Sequence, residues 1–197
     1  APSPDGSTLL FNTYRWGGWK LAVQRAGAVE RWTAGGDYYT NPAFDREGNR
    51  VAFEHTRRTG TDVVVRSLRD GAERAWAAGS ARDERGPAWT KDGGLVYFEG
   101  RNGRQQISIQ RSVDSEAMRL SDGAGNDFAP AVSPDGGRIA FYSDRSGHTD
   151  VWIMPIDGGT PVNLTAGLRN EDTPYEFDER TYWRLRVAWS PNGESLV

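Results

Sequence analysis

The sequence predicts an all-β chain of repeated four-stranded antiparallel units, and three observations carry that prediction. A turn of the type Ser-Pro-Asp-Gly recurs at a near-constant interval. An alternating apolar run follows it each time. Gly, Pro and β-branched residues are too dense for helices. With the turn glycine as a ruler, Gly6, Gly48, Gly93, Gly136 and Gly193 follow one another at 42, 45, 43 and 57 residues.

The elements of one unit follow in order from that ruler. Three residues after the glycine stands Leu9, Val51, Val96, Ile139 or Leu196, and in the first four copies Phe11, Phe53, Phe98 and Phe141 follow two later. Period 2 sends both side chains to one face of a strand, which is expected to be the buried one. Beyond a polar loop comes a second alternating run, with Leu21 and Val23, Val63 and Val65, Ile107 and Ile109, or Val151 and Ile153. A turn ("RAG", "RDG", "VDS", "DGG") then leads to a short strand ending near Trp32, Trp76, Leu120 or Leu164. Upstream of the last four ruler glycines, "NPAF", "GPAW", "APAV" and "RVAW" supply one more strand.

Four short strands in about 40 to 45 residues make the blade of a β-propeller, a unit that buries its faces only against its neighbours. The repeats run approximately over 1–41, 42–86, 87–129, 130–186 and 187–197, giving four complete blades and a partial fifth in one domain, 1–197. The fifth copy stops at "SPNGESLV", so the sequence reads as a fragment of a longer ring.

The fourth copy, "PAVSPDGGRIAFYSDRSGHTDVWIMPIDGGTPVNLT", resembles the repeat of TolB-like propellers, a WD-repeat-like motif also found in the propeller domains of tricorn and prolyl-oligopeptidase-type proteases. The other copies keep the turn and the two alternating runs but read "DREG" at 45–48 and "TKDG" at 90–93. In them "SDR" becomes "NTY", "EHT" or "EGR". The resemblance covers the whole chain and implies a ring of six blades, the remaining ones outside these residues. It also implies a periplasmic or otherwise extracytoplasmic location and a non-catalytic scaffold that binds a protein or peptide. The alternative it carries is a propeller that gates substrate for a larger serine hydrolase or peptidase, with the catalytic domain outside this chain. The fold alone does not choose between them.

Composition narrows the chemistry. The 197 residues are 37% hydrophobic and 26% charged, enough for a sizeable core, and no apolar run approaches the ~18 residues a membrane helix needs. Membrane insertion is therefore not expected. The absence of cysteine excludes disulfides, thiolate chemistry and Cys-ligated zinc, and a net charge of −3 argues against a nucleic-acid partner. No G-x-S-x-G elbow is present, and His55 and His148 sit at different offsets from their ruler glycines, so no catalytic residue, cofactor or metal is expected. Asp144 and Asp150 in "DRSGHTD" read as turn caps rather than calcium ligands, because the six to eight oxygens of a dedicated site are not evident.

Binding is expected at the blade end that collects the loops between second and third strands and the linkers to the next blade, which hold Asp37, Asp83 and Asp127. That end also receives the one insertion, "LRNEDTPYEFDERTYWRLR", 168–186, which accounts for the longest spacing. Its Tyr175, Phe177, Arg180, Tyr182 and Trp183 combine aromatic and guanidinium groups in the manner of an interface centre. Trp16 and Trp19 in the first blade's loop, Arg57 and Arg58 in the second, and Arg145 and His148 in the fourth complete the candidate partner-binding set. The competing reading makes the insertion a lid and the two tryptophans blade caps.

Overall fold

In the computed structural model of the chain, the residues described are 1–76, 82–101, 104–168 and 186–197. Among them there is no helix. Fifteen strands form four antiparallel sheets. The first sheet joins β1 (Thr8–Thr13), β2 (Lys20–Arg25) and β3 (Ala28–Arg31), and the single bridge from Pro2 to Leu9 stands in its fourth place. The second is β4 (Tyr38–Phe44), β5 (Arg50–Arg57), β6 (Gly60–Ser67) and β7 (Glu73–Ala75). The third is β8 (Asp83–Trp89), β9 (Leu95–Arg101), β10 (Arg104–Gln110) and β11 (Met118–Arg119). The fourth is β12 (Asp127–Val132), β13 (Arg138–Ser143), β14 (Asp150–Pro155) and β15 (Val162–Asn163). Strands follow one another across each sheet in chain order, the meander of a propeller blade. A further hairpin, with Ala188 and Val197 exchanging both backbone hydrogen bonds, begins a fifth copy at the expected place.

The ruler glycines are glycines for a backbone reason. Gly6, Gly48, Gly93, Gly136 and Gly193 have φ of 70°, 71°, 83°, 80° and 72°, a region that costs any other L-residue about 1 kcal/mol or more. In the second copy Asp45 closes the turn by accepting from the backbone N–H of Asn49 at 2.8 Å and of Arg50 at 3.0 Å.

The chain divides into two compact units, Ala1–Trp89 and Thr90–Val197. In the first unit β1 and β2 pack on β4, and β4, β5 and β6 pack on β8, around Leu10, Leu21, Val23, Val51, Phe53 and Val64. In the second, β9 and β10 pack on β12, around Val96, Phe98, Ile107, Ile109, Phe128, Ile139, Phe141 and Met154. Each fully buried aromatic or branched side chain contributes about 1.5–3 kcal/mol.

Phe53, Phe98 and Phe141 are buried as their repeat position predicts, but the first copy differs. There Leu10 is buried, Leu9 is 39% exposed and Phe11 only half-buried. β5, β9 and β13 are covered on both faces, so Ala52, Tyr97 and Ala140, the equivalents of Leu10, are buried along with their neighbours. β1 is covered only on the face of Leu10, which turns toward β4.

The innermost strands carry one more repeated device. β4, β8 and β12 begin at Tyr38, Asp83 and Asp127, ahead of the repeat boundaries at 42, 87 and 130, and in β4 and β12 pairing resumes upstream of a bulge. The residue before each Pro there, Asn41, Gly86 or Ala129, has φ of 54°, 60° or 50°. The register shifts by one residue between Thr40 and Ala43, and again between Phe128 and Ala131. Bulges re-aim side chains, and these two decide which residues meet at the loop-rich end of their blades.

Candidate protein-binding face

In the first unit the loop after β1 and the linker into β4 converge on the β5–β6 hairpin. Below the bulge, Tyr39 pairs directly across from His55, and the two rings stack with centroids 4.5 Å apart and planes 21° from parallel. Carried down from the Phe44–Val51 pair without the shift, the register would have set Thr40 opposite His55. One extra residue therefore builds the stack.

His55 joins a chain of polar contacts. Its Nδ1 lies 2.9 Å from a guanidinium nitrogen of Arg57 and its Nε2 lies 2.9 Å from the Asp37 carboxylate. Arg is a donor only, so Nδ1 accepts. The proton sits on Nε2 and is donated to Asp37. Arg57 continues to the Asp62 carboxylate. With both nitrogens engaged, this imidazole has no free lone pair for a substrate proton.

Lys20 lies beneath the same cluster, 1% exposed, donating its ammonium to the Asp37 main-chain carbonyl and facing the rings of Tyr38 and Tyr39 at 5.8 and 5.6 Å. Burial lowers the pKa of this ammonium, the Arg31 charge lowers it further, and Asp37 opposes both. Burial likewise raises the Tyr39 phenol, helped by the Asp37 charge. Above this layer the aromatic surface opens. Tyr14 is 60% and Tyr38 46% exposed, Trp19 meets Tyr14 edge-on at 5.5 Å, and Arg15 lies 5.8 Å from the centre of the half-buried Trp16 ring. Gly18 is small of necessity, since a Cβ there would stand 2.9 Å from the Tyr38 ring.

Trp16, Trp19, Arg57 and Arg58, four residues expected at the partner face, are thus placed on one contiguous stretch of the first unit, with Arg57 and Arg58 exposed at the hairpin tip. Lys20, Tyr14, Tyr38 and Tyr39 join them, although the sequence reading had not singled them out. Their one sequence signal is the clustering of aromatics and Asp37 in "TYRWGGWK" and "DYY".

The second unit treats its candidates differently. The Arg145 side chain is only 8% exposed, bidentate to the buried Asp127 carboxylate at 2.9 and 2.8 Å and stacked over Trp152 at 5.1 Å. Burial raises the Asp127 pKa, while bonds from Ser143, Arg145 and Ser121 oppose it. Arg145 therefore secures β12 to its hairpin. His148 is exposed at the tip, its carbonyl accepting from the Ser146 hydroxyl at 3.1 Å. Asp144 accepts from the backbone and side-chain nitrogens of Asn126 at 2.7 and 2.8 Å, and Asp150 accepts from Ser146, Asn163 and Thr165. Asp144 thus ties its loop to the linker at Asn126, and Asp150 ties its loop to the closing strand, where turn caps had been expected. Tyr175, Phe177, Arg180, Tyr182 and Trp183 lie outside the described residues.

Comparison with known proteins adds the family. The TolB from Acinetobacter baumannii superimposes with a TM-score of 0.75 at 21% identity, over 99% of this chain and 46% of that one. A puromycin-hydrolyzing peptidase of Mycobacterium tuberculosis shares the fold with a TM-score of 0.67 at 14% identity, over 83% of this chain and 28% of that one. A protein named TolB homolog from Chlorobium luteolum is 26% identical over 157 residues, 78% of this chain and 35% of its own length. The Tol-Pal system protein TolB of Anaeromyxobacter dehalogenans is 37% identical over 81 residues, 41% of this chain and 18% of its own length. The chain spans less than half the length of the curated relatives it matches. The family model described as "TolB beta propeller domain" matches residues 42–197, well over half the chain. The chain therefore belongs to the TolB beta-propeller domain family.

Proposed function

We propose that this chain is a non-catalytic scaffold that captures a protein or peptide through the loop-rich ends of its blades, in an extracytoplasmic envelope assembly of the Tol-Pal kind. The observation that carries the reading is the cluster built on Lys20, Tyr38, Tyr39 and His55. A polar, hydrogen-bonded layer there supports exposed aromatic and guanidinium groups, the residue types that dominate binding energy at interfaces. Both nitrogens of its histidine are committed to structure, which favours binding over catalysis. The relative named as a Tol-Pal system protein supports the location and the protein partner.

The test replaces residues 168–186 with Gly-Asn-Asp in the complete parent chain and repeats partner capture from an extract of the source organism. The reading expects an intact fold with capture abolished. A replacement that melts the blades while partners still bind would make the insertion structural and place binding elsewhere. A second reading, a propeller gating a peptidase, draws on the likeness to the puromycin-hydrolyzing enzyme. A G-x-S-x-G elbow with Asp and His elsewhere in the parent chain would favour it.

A further inference from the structure

We infer that the first unit's loop-rich end is a docking surface for an acidic, extended peptide segment, one whose carboxylates meet Arg15 and Arg58 while an apolar or aromatic side chain lies on Tyr14 and Tyr38. This rests on the protein-binding reading and names the partner's chemistry.

The argument is one of local charge. The chain carries −3 overall, yet segments 14–20, 37–39 and 55–62 at this end hold four cations, Arg15, Lys20, Arg57 and Arg58, against two carboxylates, and the linker Asp83, which accepts from the Thr61 N–H here, is paired with Arg85. Both carboxylates are already engaged, Asp37 by His55 and Asp62 by Arg57. Lys20 is buried and Arg57 is paired, which leaves Arg15 and Arg58, both exposed and neither ion-paired among the described residues.

The surface between them is continuous by contact. Arg15 lies beside Trp16, Tyr14 meets Trp19, the Trp19 carbonyl accepts from the Tyr39 N–H at 2.9 Å, Tyr39 stacks on His55, and His55 holds Arg57 next to Arg58. Two exposed phenol rings, Tyr14 and Tyr38, stand within this run. Guanidinium groups select carboxylates by their two parallel N–H bonds, and the buried Lys20 ammonium adds positive potential behind the rings. A peptide suits the surface better than a nucleic acid. Two free guanidinium groups are too few to neutralise a phosphate backbone, and the chain's net negative charge repels one.

The test uses the full-length protein and a fluorescein-labelled probe, Gly-Ser-Asp-Glu-Trp-Asp-Glu-Gly-Ser, read by fluorescence anisotropy at low and high salt. Controls are the same peptide with Lys in place of each acid and an oligothymidine of equal charge. Arg15→Glu with Arg58→Glu should weaken the acidic peptide by about tenfold or more, and binding should fall with salt. Arg25→Glu, exposed at the β2–β3 turn, should leave it unchanged. The milder pair Arg15→Gln with Arg58→Gln should give an intermediate loss, with thermal melts confirming the fold in every variant. Equal loss in Arg25→Glu, equal binding of the Lys peptide or the oligothymidine, or no binding at all would overturn the inference. Should the acidic peptide ignore Arg15 and Arg58 while replacement of 168–186 still abolishes capture, this surface falls and the protein-binding reading stands. Should capture survive the replacement, that reading falls independently.

Discussion

The indole N–H of Trp89 donates to the Ala43 carbonyl at 2.9 Å, reaching from β8 to the end of β4 in the preceding blade. Trp189 repeats the bond to the Ala131 carbonyl at 3.0 Å. In each case an arginine from the preceding blade covers the indole, Arg50 at 4.4 Å and Arg138 at 4.8 Å. Two copies of the repeat therefore carry a lock to the preceding blade, whereas Phe44 and Val132, at the equivalent position in the other two, have no side-chain N–H to donate. The fifth copy makes its lock although only a hairpin of it is present.

Trp89→Phe keeps a ring but leaves the Ala43 carbonyl without its donor and weakens the cation–π contact. The expected cost is about 1–2 kcal/mol in urea denaturation. Trp89→Ala also opens a cavity beside Trp76, which meets Trp89 edge-on at 5.8 Å, and should cost about 3–5 kcal/mol. Equal effects would mean that the hydrogen bond contributes everything and the packing nothing.

Ala129 sits at φ 50° in the bulge of β12 and is buried. Ala129→Val adds a β-branch to a left-handed backbone in a packed site and should cost about 2–3 kcal/mol. Ala129→Gly relieves strain but removes a buried methyl, so it should stay within about 1 kcal/mol of the parent. Thermal melts of the two variants read the difference. A well-tolerated valine would mean that the bulge is not required.

The turn carboxylates supply a pH signature. The Ser3 hydroxyl, followed by the Ser7 N–H and hydroxyl, holds the Asp5 pKa down to about 2. The Ser133 hydroxyl, followed by the Gly137 N–H, lowers Asp135 in the same way. A depressed carboxyl contributes stability above the usual carboxylate range, and that contribution is lost as pH falls through the folded-state pKa. Ser3→Ala and Ser133→Ala should therefore bring Asp5 and Asp135 back toward about pH 4, read by NMR titration of the side-chain carboxyls. No movement in either would remove the serine hydroxyls as the cause.

The geometry around His55 fixes a tautomer. Two-bond nitrogen–proton correlation spectra should show Nε2 protonated and Nδ1 bare at neutral pH, with Arg57→Ala releasing that preference. A protonated Nδ1 in the parent would break the chain of contacts from Asp37 to Asp62.

These features differ in how far the sequence discloses them. The blade was legible because its glycines must take positive φ at a fixed interval, and because Phe53, Phe98 and Phe141 recur two residues past the same apolar position. The candidate surface was legible only as composition. Which aromatic meets His55 depends on a bulge at Asn41, and a one-residue shift moves Tyr39 rather than Thr40 opposite it. Arg145 shows the same limit from the other side. In the sequence it is one more loop arginine, and only the register bringing Asp127 across from Ser143 reveals the carboxylate that holds it.

The central claim, that partners are held at the loop-rich blade ends, is tested most directly by hydrogen–deuterium exchange of the complete parent chain with and without its captured partner. The account predicts slowed exchange in residues 14–20, 55–62 and the 168–186 insertion, with the ruler-glycine turns at 3–7, 45–49 and 133–137 unchanged. Protection confined to those turns would contradict it.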